Sequence, residues 1–226
     1  MLQLILAALF FTGLHFFVAG SRLRGIIIER IGEVPYRVLF SLLSLGGLFW
    51  MIAAYRSAEY IELWSQPQLL KPVAVVLMAA AFLLAVAGLT SPNATTTRID
   101  ALLRQEEPAQ GILRITRHPT LWGIALWALA HLIANGDAAS LVFFGSILLL
   151  AAAGTASIDA KRKRLFGDRW QQFTQVTSSV PFLAIIQGHN RFRLSEIGWW
   201  RVLLASTAFA LVIHLHSTLF GVSPLP

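Results

Sequence analysis

Residues 117–137 read RHPTLWGIALWALAHLIANGD, an apolar run of helical length that begins on a basic residue and an imidazole and ends in a polar turn. Pro119 lies at the first turn, where a missing backbone N–H costs little, so the run predicts a helix over Pro119–Ala134. His131 lies near its far end. An imidazole gains nothing from facing hydrocarbon, so we expect His131 to meet a protein group, water, a metal or a cofactor.

The whole chain shares the apolar character of this run. Of its 226 residues 56% are hydrophobic and 13% are charged, whereas soluble domains carry about 25% charged residues. Several apolar runs are long enough, or nearly so, to cross a bilayer. They are Leu2–Gly20, Tyr36–Tyr55, Pro72–Thr90, Pro119–Ala134, Ala138–Ser157 and Trp200–Phe220. We predict one all-α integral membrane domain over residues 1–226, a polytopic bundle of about six transmembrane helices with cytoplasmic amphipathic helices.

Two of these runs depart from a standard span. Pro119–Ala134 is shorter than the ~20 residues that a span usually takes, so it must tilt, thin the bilayer or extend through the turn at Arg117. Leu2–Gly20 is too long for the apolar core of a signal peptide and has no basic segment before it. We therefore expect it to be retained as a span.

Lysine and arginine set the orientation of the bundle. Segments 21–37 and 91–118 hold four each and segment 158–201 holds eight, so sixteen of the eighteen lie on one side. The other side holds only Arg56 and Lys71. Cytoplasmic loops carry such an excess, so we predict that both termini are outside and that the three basic segments are cytoplasmic.

Composition excludes several kinds of function. The chain has no cysteine, which excludes thiolate-ligated haem, iron–sulfur clusters and cysteine nucleophiles. The run Lys161-Arg162-Lys163-Arg164 is typical of a surface that meets anionic lipid. No basic and aromatic soluble module surrounds it, so we expect the lipid bilayer, and no nucleic acid, as a partner.

The cytoplasmic segments predict short helices that cover the inner mouth of the bundle. We expect an amphipathic connector over 21–35, a helix over about Thr97–Glu106, and a charged helix that continues the fifth span. Phe166-Gly167-Asp168 predicts a turn, with an amphipathic helix following over 169–177. On the opposite side, Asn135-Gly136-Asp137 predicts a tight turn into the fifth span.

Histidines are the main candidates for a buried polar or metal site. Four of the six lie within or near spans, and intramembrane ionisable residues are rare unless they have a partner or a function. For any single one, a hydrogen-bonded packing role is an equal alternative. The six are His15, His118, His131, His189, His214 and His216.

Spacing restricts which histidines can share a site. His118 and His131 are ~20 Å apart along one helix, so they cannot bind one ion together. His214 and His216 point to opposite sides of their helix. By depth, His131 matches His214 or His216, whereas His15, near the cytoplasmic end of its span, matches His118.

Arg117 and His118 begin the fourth span on the cytoplasmic side. Free backbone N–H groups and a cationic side chain at a helix start suit an anion such as a carboxylate or phosphate. The alternative is a positive-inside anchor with an imidazole that caps the helix. Asp159, which borders the cytoplasm, is expected to pair with Lys163 one helical turn further on.

The string at 117–137 resembles the signature of the NnrU family of bacterial membrane proteins. Two further stretches agree: Gly13-Leu14-His15 with the following SRLR at 21–24, and RIGEVPYRVL at 30–39. The resemblance is strongest over residues 1–165. It implies a multi-pass protein of the bacterial inner (plasma) membrane and a connection with nitrogen-oxide metabolism, that is, denitrification.

The NnrU family is in turn similar to the zeta-carotene isomerases, membrane enzymes that carry haem b. This resemblance implies haem b as a cofactor, with His15 and His131 as ligands of the iron. It also implies a redox or isomerisation step on a hydrophobic small-molecule substrate. Because His214 and His216 lie at a depth in the bilayer similar to that of His131, they remain alternative partners of His131.

A second, fainter resemblance rests on RHPxxxG at 117–123, LFGDRWQQF at 165–173 and Val180-Pro181. It is similar to the isoprenylcysteine and phospholipid methyltransferases, in which the His of RHP and a later glutamate pair hold S-adenosylmethionine. His118 matches that histidine. The glutamate pair is replaced by IDAKR at 158–162, so we expect a shared fold without the methyltransferase chemistry.

Three hypotheses stay open at this point. The protein is a haem-dependent isomerase or oxidoreductase, an S-adenosylmethionine-dependent lipid or prenyl methyltransferase, or a non-enzymatic accessory protein of a respiratory or denitrification complex. A homo-oligomer is also left open, because Gly46-Gly47 and the small residues of the third and fifth spans offer close-packing faces.

Overall fold

The computed structural model of the chain describes residues 1–65, 70–96 and 98–225. Within them, five helices are long and apolar enough to cross a membrane, and one shorter apolar helix, Pro119–Ala134, joins them. The five are Leu2–Ala19, Glu33–Arg56, Leu70–Thr90, Ala138–Phe166 and Trp199–Phe220. The prediction of an all-α polytopic bundle is confirmed. The short helix Pro119–Ala134 is the apolar run that the sequence already showed to be shorter than a standard span.

We number the helices in chain order. They are α1 (Leu2–Gly13), α2 (Leu23–Ile31), α3 (Glu33–Arg56), α4 (Leu70–Thr90), α5 (Ile99–Leu103), α6 (Pro119–Ala134), α7 (Ala138–Phe166), α8 (Asp168–Val176), α9 (Leu183–Ile186) and α10 (Trp199–Phe220). A π-helical segment, Leu14–Ala19, continues α1 towards the cytoplasmic side.

Helices α4 and α6 pack with their backbones close together. A Cβ atom at Gly88 would lie 2.4 Å from Oγ1 of Thr120, and one at Gly123 would lie 2.9 Å from the backbone nitrogen of Ala85. Small residues permit this kind of approach in membranes, where tight packing drives helix association. The contact fixes the position of α6 and, with it, the residues that precede its first turn.

Four spans share a core in the outer half of the bundle. Leu4 and Ala7 of α1 are fully buried there with Met51 of α3 and Ala128 of α6, and Phe144 of α7 completes the cluster. Five of the nine buried residues of this cluster are alanines, which let the helices lie close together, while Phe144 fills the space between them. This packing joins α1 and α3 to the α6–α7 pair.

A second core lies on the cytoplasmic side and consists largely of the amphipathic pieces. Trp170 and Phe173, three positions apart on α8, are buried against Leu102 of α5 and Ile197. Residues three apart share a helix face, which is why these two aromatic rings enter the core together. The predicted cover over the inner mouth of the bundle is present.

The predicted cytoplasmic helices agree with the structure in most respects. α7 continues the fifth span as far as Phe166, Gly167 turns the chain with φ +53°, and α8 occupies the predicted amphipathic stretch. The helix predicted over Thr97–Glu106 is shorter, Ile99–Leu103, and Thr97 lies outside the described residues. Beyond its end, Glu107 pairs with Arg114 at 2.7 Å.

The turn between α6 and α7 also holds the loop that follows α3. The carbonyl oxygen of Gly136 accepts hydrogen bonds from the backbone N–H groups of Leu63 (2.7 Å) and Trp64 (3.1 Å). Asp137 caps α7 by accepting a hydrogen bond from the N–H of Ser140 at 2.9 Å. The predicted tight turn is therefore also a contact between two loops on the outer side.

Candidate functional site

Two basic residues and one carboxylate form a buried cluster where α6 begins. Nε2 of His118 lies 2.7 Å from Oδ1 of Asp159, which α7 supplies. Nε of Arg117 lies 3.0 Å from both carboxylate oxygens, and its Nη2 also donates to Oδ2. The side chains of His118, Arg117 and Asp159 are 0%, 12% and 19% exposed. We call these three residues the inner cluster.

The position of Asp159 corrects an expectation from the sequence. Asp159 was expected to pair with Lys163 one turn along α7, but its carboxylate turns inward to Arg117 and His118, and Lys163 is exposed. The reason is energetic. A buried guanidinium without a counter-ion is costly, whereas an exposed lysine loses little by staying in water.

The inner cluster also explains the anion-binding geometry expected of Arg117 and His118. The anion that they hold is the carboxylate of Asp159, and a further hydrogen bond joins Nη1 of Arg117 to the carbonyl oxygen of Thr177 at 3.1 Å. His118 occupies the N-cap position of α6 without a capping hydrogen bond from its side chain, so the expected capping role is wrong.

Only one edge of the His118 ring has a partner. Its Nδ1 is buried and meets no hydrogen-bond partner among the described residues. A neutral ring with its hydrogen on Nε2, donated to Asp159, leaves a lone pair at Nδ1, and an unpaired acceptor is tolerated better than an unpaired N–H. The inner cluster thus joins α6 to α7 and leaves one buried ring nitrogen without a partner among the described residues.

His15 occupies a different place, on the π-helical segment that continues α1. The N–H of Gly20 donates to its carbonyl oxygen, five positions back, at 2.9 Å. Nδ1 lies 2.7 Å from the carbonyl oxygen of Phe11, and the ring contacts Phe11 and Phe40 of α3 at centroid distances of 4.6 and 5.3 Å. The carbonyl requires a hydrogen on Nδ1, so a neutral ring keeps its lone pair on Nε2.

His131 repeats this local arrangement near the outer end of α6. Its Nδ1 lies 2.8 Å from the carbonyl oxygen of Trp127, one turn back. The ring stacks on Phe144 of α7 with centroids 4.7 Å apart and planes at 20°. His131, like His15, is half-buried and presents an Nε2 lone pair when neutral.

His15 and His131 lie in opposite halves of the bundle. The ring of His15 contacts Phe40 of α3, while His131 stacks on Phe144, whose ring lies 5.8 Å from that of Tyr55 at the other end of α3. Fifteen helical positions separate Phe40 from Tyr55, which is ~22 Å of rise. The structure therefore does not place these two imidazoles on either side of one iron.

The histidines of α10 differ from each other. His216 is close enough to His131 for the two rings to interact electrostatically, and its Nδ1 lies 2.8 Å from the carbonyl oxygen of Val222. His214 is exposed on the helix surface. The pairing of His131 with an α10 histidine, expected from depth, stays a prediction, and His216 is its candidate partner. Over the described residues, no group of three or more histidines and carboxylates is arranged to hold a metal ion.

A second charged centre lies in the cytoplasmic layer and was missed in the sequence. Arg114, 5% exposed, donates to both carboxylate oxygens of Glu196 at 2.6 and 2.9 Å and to Asn190 at 2.6 Å. These hydrogen bonds, with one from the N–H of Gly111 at 3.0 Å, hold the pKa of Glu196 at about 2. Arg114 and Glu196 are 82 positions apart, so no local pattern reveals the pair.

Comparison with known proteins agrees with the sequence motifs. The model of the family described as "NnrU protein" matches residues 3–224. The chain is 28% identical over 202 residues to the 15-cis-zeta-carotene isomerase, chloroplastic, of Zea mays, covering 83% of this chain and 51% of the relative. The Arabidopsis thaliana protein of the same name is 25% identical over 197 residues, with the same coverage.

The chain thus spans about half the length of the curated relatives that it matches. No solved structure gives a significant match.

Proposed function

Since this chain belongs to the NnrU family, we propose that it is a membrane-embedded enzyme of the isomerase type, acting on a hydrophobic substrate taken from the bilayer. The relation to 15-cis-zeta-carotene isomerases over 83% of the chain supports this reaction class. A polyene with a cis double bond is the corresponding substrate class. Apolar helices with mostly unburied surfaces are consistent with entry of such a substrate from the lipid.

The observation that carries the proposal is His15. It lies on a π-helical segment, and such segments inside α-helices occur frequently at functional sites. Its ring is half-buried between Phe11 and Phe40, and Nε2 has no hydrogen-bond partner among the described residues. A span that only packs in lipid gains nothing from an imidazole with a free lone pair.

Haem b remains a proposal for the cofactor, and the structure allows a partial test of fit. In His15 and in His131 the backbone holds Nδ1, which leaves Nε2 as the donor atom that an axial haem ligand uses. Each ring alone suits one axial position. The pair lies too far apart to share one iron in this arrangement, so we assign no reaction step to a haem.

Purified protein reconstituted in lipid tests the proposed activity with 15-cis-zeta-carotene as the probe. We expect the 15-cis isomer to disappear, as followed by chromatography, and the activity to be lost in His15→Ala. His189→Ala, an exposed loop histidine, is the matched control and should keep full activity. Equal activity of His15→Ala and the control would contradict the role of His15, and an inactive wild-type protein with haem bound would contradict the substrate class.

The absorption spectrum tests the cofactor separately from the activity. We expect a Soret band that weakens in His15→Ala or in His131→Ala, and loss of the band in both would show that the two spans approach each other when haem binds. Full haem retention in the double variant would exclude both histidines, and His216→Ala then tests the remaining neighbour. A protein without a Soret band would exclude the haem.

The other expectations are less well supported. S-adenosylmethionine binding through His118 stays a prediction, but that ring is fully buried and bonded to Asp159. The described residues single out neither a nitrogen-oxide substrate nor a denitrification partner, so that role stays a prediction. The bacterial inner (plasma) membrane stays a prediction from the family resemblance, and the charge distribution favours an orientation with the basic segments inside.

A further inference from the structure

A basic cleft opens where α1 and α7 reach the cytoplasmic side. It has a volume of about 710 Å³ and lies between the turn that follows the π-helical segment and the charged end of α7. Small residues, among them Gly20 and Ser157, leave the space between the two chain segments. Four cationic side chains line this basic cleft: Arg22, Arg24, Lys161 and Arg164.

The positive charge of the cleft is largely uncompensated. Arg22, Lys161 and Arg164 have no carboxylate within ion-pair distance among the described residues, and only Arg24 approaches one, Glu33 at 3.6 Å. Glu33 itself pairs more closely with Arg37, at 2.7 Å. Lys161 is repelled by Arg24, which the other chain segment supplies, and by Arg162 and Arg164, and its one electrostatic attraction is to Glu33, which Arg24 and Arg37 share. Holding like charges together is unfavourable in a medium of reduced dielectric, so the cleft favours a bound anion.

The geometry of the cations favours an anion with several oxygen atoms. Three of the four are arginines, whose guanidinium groups bind phosphate with two parallel hydrogen bonds, and the ammonium group of Lys161 has three further donors. The donors come from two chain segments that border the cleft, so an anion with several acceptor oxygens can bind to both. A phosphate group, with charge spread over its oxygens, suits this arrangement.

The depth of the cleft identifies the source of the phosphate. Ala19 ends the apolar run of α1 and Ser157 marks the point where α7 becomes charged, so the cleft lies at the level of the inner leaflet headgroups. Leu165, which lines the cleft, is 64% exposed. Phe17, on the π-helical segment that leads to the cleft, is 74% exposed. A soluble anion would leave these apolar surfaces exposed, whereas the acyl chains of a lipid would bury them.

We propose that the basic cleft binds the phosphate headgroup of one anionic phospholipid of the inner leaflet. The headgroup occupies the space between Gly20 and Ser157, and the four cations bind its oxygens. The acyl chains extend along the lipid-facing surface of α1 and α7. This site differs from a general positive-inside surface, because it depends on particular cations and on the space between them.

Energy transfer from the chain's tryptophans to labelled phosphatidylglycerol, titrated in phosphatidylcholine vesicles, tests the proposal. The wild-type protein should prefer the anionic lipid. The triple variant Arg22→Gln, Lys161→Gln, Arg164→Gln should bind it roughly tenfold or more weakly. The matched control, Arg30→Gln, Arg98→Gln, Lys163→Gln, removes the same charge from exposed positions on the same side and should keep the preference.

Two further measurements distinguish a lipid in the cleft from a general charge effect and from a soluble phosphate. Ser157→Phe fills the cleft without removing a charge, and it should weaken binding as the triple variant does. An excess of inorganic phosphate at constant ionic strength should leave the lipid signal unchanged. Equal loss in both triple variants, full binding in Ser157→Phe, no lipid preference in the wild-type protein, or displacement by inorganic phosphate would each overturn the proposal.

Discussion

Oδ1 of Asp159 lies 2.7 Å from Nε2 of His118, although the two residues are 41 positions apart and belong to different spans. Arg117 binds the same carboxylate, so one side chain of α7 holds both residues that precede α6. The motif that stands out in the sequence is therefore a joint between two spans. Its first histidine stabilises the bundle, and the second, His131, lies at the far end of the same helix.

Replacement of Asp159 tests this joint. Asp159→Asn leaves the guanidinium of Arg117 buried without a counter-ion, and breaking a buried ion pair costs about 3–5 kcal/mol. We expect a large decrease in the unfolding temperature in detergent. Asp100→Asn is the control, because Asp100 pairs with Arg104 and Arg169 at exposed positions and should cost less than about 1 kcal/mol. Similar losses in the two variants would contradict a buried structural pair.

The pair of Arg114 and Glu196 predicts a stability that depends on pH. The folded state holds the pKa of Glu196 at about 2, below its usual 4.5, so the interaction stabilises the protein fully above about pH 4.5 and is lost as the pH falls towards 2. We expect the unfolding temperature of Glu196→Gln to be lower than wild type at neutral pH, with the difference shrinking in acid.

Glu106→Gln, which replaces an exposed glutamate of the same cytoplasmic layer, is the control for this pH profile. It should follow the wild-type curve across the whole range. A constant difference between wild type and Glu196→Gln from neutral pH to acid would show that the charge of Glu196 does not stabilise the fold.

Close packing of α4 and α6 predicts a penalty for an added methyl group. At Gly123 a Cβ atom would lie 2.9 Å from the nitrogen of Ala85 and 3.0 Å from the carbonyl oxygen of Ala81, both backbone atoms that cannot rotate away. We expect Gly123→Ala to destabilise the protein by about 1–3 kcal/mol. Gly46→Ala on α3, which meets nothing within 4 Å, should be neutral or slightly stabilising in the same thermal assay.

The loop contact on the outer side predicts a sharper effect. A Cβ atom at Gly136 would lie 2.1 Å from the carbonyl oxygen of Trp64, so Gly136→Ala must displace the 61–64 loop and its hydrogen bonds. We expect faster proteolysis in this loop and lower thermal stability. Gly145→Ala, whose nearest neighbour would be a leucine methyl at 3.9 Å, is the control. Unchanged proteolysis in Gly136→Ala would mean that the loops do not depend on this contact.

Much of the fold was readable from local sequence. Apolar runs located the spans, Pro119 marked the start of α6, and Gly167 marked the turn before α8. These features are local, because a bilayer selects for apolar length and a turn selects for particular backbone angles. The helix over Ile99–Leu103 is shorter than the stretch predicted from the sequence.

The candidate site was only partly readable. The sequence marked Arg117, His118 and His131 as unusual, and spacing showed that the two histidines serve different places. It paired Asp159 with the wrong residue, because the i+4 rule considers one helix at a time. The haem ligands remain a prediction: their identity came from resemblance, and the structure sets His15 and His131 in opposite halves of the bundle.

Hydropathy and charge decided that this protein is a membrane bundle and predicted how it is oriented, because the transfer of each segment into lipid depends on that segment alone. Tertiary structure decided which charges are buried together. The partners of Arg117 and Arg114 lie 42 and 82 positions away, and an ion pair of that kind is worth making only after the helices have excluded water from it. That condition depends on the packing of several helices, and no single stretch of sequence contains it.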